Sequence, residues 1–134
     1  MALAAVGVFA LGIALAPAPA ALAHGAKKSK SVVVVQVVNR APYGEMLANT
    51  SGRSLYTGPP CAGGCLVIWP PLVMPKGTKV PLGVSGLGTI KVKVGKHKVH
   101  QVTYNGKPLY TFYTDTGSAV GGEGVGGFVV AAVG

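Results

Sequence analysis

Apolar and polar positions alternate strictly over Gly88 to Val94, putting Ile90, Val92 and Val94 on one face of a strand and Lys91 and Lys93 on the other. This predicts a half-buried strand with a basic outer face. Gly95-Lys96-His97-Lys98 reads as a turn into a second strand, Val99 to Tyr104, and Asn105-Gly106 is a hairpin-turn dipeptide with Lys107 to Tyr113 as the returning strand. Val32 to Val38, interrupted only by Gln36, is a β-branched run that predicts a buried strand. Gly117 to Gly127 is glycine-rich loop, and Phe128 to Val133 is a last apolar strand. Apolar spacing of three and four persists nowhere for a full helix, so the predicted class is all-β.

The first twenty-three residues follow a different pattern. Ala2 to Ala16 is uncharged and apolar, Pro17-Ala18-Pro19 interrupts it, and Ala21-Leu22-Ala23 offers a cleavage site. That is the pattern of a secretory signal peptide, with an apolar core shorter than the ~20 residues of a spanning helix. Residues 24–31 then read as a small, basic, flexible arm, and 32–134 as a single domain. No stable membrane insertion is expected after cleavage.

Gly52-Arg53-Ser54-Leu55-Tyr56-Thr57 is echoed by Gly106-Lys107-Pro108-Leu109-Tyr110-Thr111, an offset of 54 residues. Each copy follows a turn and leads into a loop that ends in apolar residues, Leu66 to Trp69 in the first and Phe128 to Val130 in the second. Two copies are too few for a solenoid. The pattern predicts two related hairpin units, about 43–72 and about 99–134, packed about a pseudo-twofold axis, since a lone hairpin is marginal.

Charge narrows the partners. Twelve Lys and Arg against three acids give a formal +9, all of it beyond residue 23. Such a surface favours anionic cell-wall or extracellular polymer, with Lys91, Lys93, Lys96 and Lys98 as the contact residues. The alternative is that the excess charge only keeps a chain rich in Gly and Val soluble. Specific nucleic-acid binding is not expected, because the lysines are not interleaved with exposed aromatics.

Cys61 and Cys65 are the chain's two cysteines. In an exported protein they predict a local disulfide, with Gly63 and Gly64 supplying positive φ angles. A thiolate metal site would lack further ligands nearby, and Pro59, Pro60 and the glycines disfavour the helix start that activates a redox thiol. A copper-binding or electron-transfer role would draw on His24, His97 and His100; yet His97 and His100, three apart on a strand, point to opposite faces. Tyr110, Phe112 and Asp115 could stack on a flat ligand and accept a hydrogen bond. The competing reading makes the two rings core and Asp115 an Asx-type cap of the turn 114–117. No catalytic set is present in sequence: the acids are unpaired and no nucleophile elbow or phosphate loop precedes a helix. The expectation is a non-enzyme without a cofactor.

Tyr110-Thr111-Phe112-Tyr113-Thr114-Asp115, the preceding V-T-Y-N-G-K-P-L, the C-x-x-x-C followed by Trp69-Pro70-Pro71, residues 86–90 and the glycines of 122–127 resemble a family of bacterial secreted-repeat proteins of unknown function, predicted lipoproteins with a Y-x-[FWY]-x-x-D signature. The resemblance spans roughly residues 43–134. It implies the extracellular compartment and a repeated fold unit, and it supplies no activity. Tyr56 marks the first copy, which departs from the pattern: Gly58-Pro59-Pro60 stands where the second copy carries its aromatic and leads to its Asp. Many relatives look lipid-anchored, whereas no cysteine lies near this cleavage site, which implies a freely secreted or wall-associated form.

Overall fold

The computed structural model describes residues 29–134. The expected signal peptide and most of the expected basic arm, including His24, lie outside the described residues. Among the described residues nine strands occur in chain order: β1 Lys30–Val33, β2 Val35–Arg40, β3 Gly44–Asn49, β4 Tyr56–Thr57, β5 Thr78–Leu82, β6 Leu87–Val94, β7 His97–Tyr104, β8 Lys107–Pro108 and β9 Val129–Val130. One helical turn, α1 Cys65–Ile68, separates β4 from β5. The all-β class holds, as several small sheets: β1 with β5 in parallel, and antiparallel β2–β3, β4–β9 and β6–β7–β8.

The hairpins follow their turn chemistry. Val94 pairs with His97, so the β6–β7 turn is Gly95-Lys96 alone and the strand begins two residues earlier than the sequence suggests. At the β7–β8 turn, Asn105 (φ 49°) and Gly106 (φ 81°) are both left-handed, the requirement of the type I′ turn that Asn-Gly favours.

The valine run departs from expectation. It forms two strands rather than one buried strand: β1 pairs with β5, the Val34 N–H donates to the Leu82 carbonyl at 3.0 Å, and β2 then turns to pair with β3. Only Val34 and Val35 are buried, whereas Val33 and Val37 are exposed. β-branched residues specify extended backbone without specifying the partner. Lys30 and Ser31, read as arm, already belong to β1.

The repeat becomes a closed hydrogen-bond circuit. In the first copy Leu47 N–H donates to Ala131 O, Ala131 N–H to Leu55 O, and Leu55 N–H to Leu47 O. In the second, Val102 donates to Leu72 O, Leu72 to Leu109 O, and Leu109 to Val102 O. Each copy thus borrows its third member, Ala131 or Leu72, from the chain beyond a loop. The two circuits meet where Tyr56 and Tyr110 exchange backbone bonds, N–H to O at 2.8 and 2.9 Å. A mutual pair of this kind is what a twofold relation between the copies requires.

Period two sorts the repeated residues into two cores. Leu55 and Leu109 enter an aliphatic cluster with Val34, Val35, Leu47 and Val102. Tyr56 and Tyr110 enter an aromatic cluster with Trp69, Phe112 and Phe128. Trp69 and Phe128, each ending the loop of its own copy, stack with centroids 3.8 Å apart and planes 13° from parallel.

Candidate functional site

Asp115 is the buried acid of the molecule, 4 % exposed, and the aromatic cluster encloses its partner. The Tyr56 hydroxyl donates to Oδ2, the Gly121 N–H donates to Oδ1 at 2.8 Å, and the Gly122 N–H donates to the Tyr56 hydroxyl at 3.2 Å. The carboxylate therefore ties the first copy's tyrosine to the second copy's glycine-rich loop. It is not an Asx cap of the turn 114–117, because the amide it accepts from is six residues on. Gly122 is required by close approach: a Cβ there would lie 2.8 Å from the Trp69 ring. Burial first, and then the bond to Asp115, raise the Tyr56 phenol well above its usual pKa and keep it protonated. The phenol is fully shielded from solvent and sits neutral within the packed core.

The other motif residues surround this bond. Tyr110 and Phe112 are core, with Phe112 tilted on Trp69 at 4.8 Å, while Tyr113 is exposed. Pro70 and Pro71 act through their carbonyl side and backbone: the Pro70 oxygen accepts the Thr111 N–H at 2.9 Å, and Pro71 bridges to Tyr110. Proline fits here because no donor is needed from it.

Cys61 and Cys65 form the expected disulfide, with Cα atoms 5.4 Å apart. Two local details differ from expectation. Gly63 has positive φ but Gly64 is right-handed at −61°, and Cys65 opens a helical turn. Beyond Gly64 no residue interrupts a turn until Pro70, so Leu66 and Val67 donate back to Gly63 and Gly64.

Lys91, Lys93, Lys96 and Lys98 are all exposed on the β6–β7 hairpin. Its register sets Lys93 opposite Lys98 and Lys91 opposite His100, so these four share one face. Val94 faces His97 across the hairpin and Val92 faces Val99, on the other face. His97 and His100 are thus separated, as their spacing predicts, and His100 joins the lysines. Among the described residues no group of three or more His, Cys, Asp or Glu is arranged to hold a metal ion.

Side chains that the sequence did not single out support the site. Arg40 Nη1 donates to Ser54 Oγ at 2.7 Å, Ser54 Oγ donates to Ala119 O at 2.8 Å, and Arg53 Nη2 donates to Phe112 O at 2.8 Å. The base and small residue of the repeated hexapeptide, Arg53 and Ser54, were the available signal.

Residues 88–130, from β6 to the end of β9, match the model of a family described as a secreted repeat of unknown function. The match falls largely on the second copy. The match covers less of the chain than the resemblance read from scattered motifs, and the first copy reproduces its hydrogen-bond circuit outside the matched span. No curated protein and no solved structure matches the chain. The family is secreted, and so is this protein. Among the described residues no helix is long and apolar enough to cross a membrane.

Proposed function

We propose that the protein is a non-enzymatic binding module of the cell envelope or extracellular space, contacting anionic polymer through the basic face of the β6–β7 hairpin. The carrying observation is the register that sets Lys93 directly against Lys98, with Lys91 on the same face. Like charges directly opposite on a strand pair destabilise it. A polyanion laid across the hairpin relieves that repulsion. The three acids do not: Asp115 is buried, Glu123 is engaged with the Val130 N–H at 2.6 Å, and Glu45 lies opposite Asn39 in the separate β2–β3 sheet.

The test is binding to isolated cell wall or to an acidic polysaccharide as salt is raised. Exposed charges are screened within about 8 Å at physiological ionic strength, so affinity should fall steeply. Replacing Lys91, Lys93, Lys96 and Lys98 by Gln should abolish most of it while the circular dichroism spectrum stays unchanged. Binding that ignores salt, or survives the four substitutions, overturns the reading.

A further inference from the structure

A groove of about 640 Å3 lies along the edge of β7, beside the basic face. Its origin is local. Leu72 to Met74 run along β7 only as far as His100, whose carbonyl oxygen accepts the Met74 N–H at 2.8 Å. Pro75 has no N–H with which to continue, and the chain turns away into β5, the Thr78 N–H donating to Pro75 O at 3.1 Å. The groove left by that turn is lined by Val73, Pro75 and Val99, with the buried Met74 at its floor. Lys76 and Lys79 from the turn, Lys30 from β1 and Lys98 from β7 also line it, and no Asp or Glu does.

We propose that this groove binds a single anionic amphiphile, an apolar chain ending in a carboxylate or phosphate. The charged end sits among the four ammonium groups and the chain covers Val73, Pro75 and Val99. Cationic side chains gathered around one concavity with no carboxylate among them concentrate anions there. A bare anion meets that charge but leaves the apolar lining in water. A neutral chain covers the lining but removes water from the ammonium groups without replacing it. An amphiphile satisfies both. The volume falls within the roughly 300–1,000 Å3 of small-molecule sites, which suits one chain rather than a membrane surface. The site shares Lys98 and His100 with the hairpin face and does not rest on the polymer reading.

Calorimetric titration of the secreted protein with decanoate and decyl phosphate, below their micellar concentrations and beside decanol and inorganic phosphate, tests this. Saturable one-to-one binding of both amphiphiles is expected, at least about tenfold tighter than inorganic phosphate. Lys76→Glu with Lys79→Glu, both exposed positions, should weaken it by about tenfold or more. Lys91→Gln with Lys93→Gln should leave it unchanged while weakening polymer binding, so failure of one site is distinguishable from failure of the other. Equal affinity for inorganic and decyl phosphate overturns the proposal, as does decanol binding as tightly as decanoate. Indifference to the charge reversals, or binding to anionic vesicles with none to the monomeric amphiphiles, overturns it equally.

Discussion

The two copies of the repeat close the same hydrogen-bond circuit with different loops. In the first, a disulfide joins Cys61 to Cys65 and a single helical turn carries the chain to Trp69. In the second, the buried Asp115 gathers Gly121 N–H and the Tyr56 hydroxyl before the chain reaches Phe128. Trp69 and Phe128 then stack against each other. Packing crosses between copies as well: Trp69 rests where a Cβ on Gly122 would be, and Phe128 where a Cβ on Gly58 would be, 2.4 Å from its ring. Gly58 occupies the position that Phe112 holds in the second copy, so its missing side chain gives Phe128 its place. The shared element is therefore the circuit and the paired Tyr56 and Tyr110, whereas the loop closure is free to be covalent or polar.

The largest expected effect comes from breaking the polar closure. Asp115→Ala leaves the buried Tyr56 hydroxyl and the part-buried Gly121 N–H without their acceptor, at a cost of about 3 kcal/mol in urea unfolding. A double-mutant cycle with Tyr56→Phe should show coupling of about 1 kcal/mol or more, since the two groups touch. Additive effects would mean that the loop is held elsewhere. The same bond has a signature in pH. The folded pKa of Tyr56 is raised, so its contribution is fully present below the unfolded value of about 10 and is lost as pH climbs through the folded value. Stability should decline on the alkaline side above about pH 10, with one phenol ionising only on unfolding, and Tyr56→Phe should flatten that limb.

That bond also marks where the sequence stopped being legible. The hairpin from β6 to β8 was readable because Ile90 to Val94 alternate and Asn105-Gly106 prescribes its own turn. The repeat was readable because six residues recur in order. Tyr56 and Asp115, however, lie 59 residues apart, and no local pattern pairs them. The register across the pseudo-twofold axis comes from Tyr56 and Tyr110 exchanging backbone bonds, and periodicity within a strand carries no information about that. The same limit explains the valine run, whose extended character was evident but whose change of partner at Val34 was not. It explains the groove too: Lys30, Lys76 and Lys79 are far apart or unpatterned in sequence, and they gather only because pairing along β7 ends before Pro75.

A smaller effect should follow from filling the first copy's empty position. Gly58→Ala puts a methyl group into the face of Phe128, a ring already fixed by Trp69 at 3.8 Å. Overpacking of this kind costs about 2 kcal/mol. Phe128→Leu in the same chain should recover part of the loss, because the smaller side chain vacates the space. Near-ultraviolet circular dichroism reads the Trp69 environment directly, and an unchanged spectrum in Gly58→Ala would show that Phe128 has room to move.

Reducing the disulfide should cost least. The bridge encloses only three residues, and closing so short a loop removes little freedom from the unfolded chain, worth about 2 kcal/mol at most. Its residues keep other attachments: both cysteines pack against the aromatic cluster, and the Trp69 N–H donates to Cys65 O at 2.9 Å whether or not the sulfurs are joined. Cys61→Ser with Cys65→Ser should therefore lower stability by less than Asp115→Ala and leave the near-ultraviolet signal of Trp69 nearly intact. If the double variant instead loses as much as Asp115→Ala, the first loop is held by its covalent bond rather than by its backbone, and the two closures are energetic equivalents despite their different chemistry.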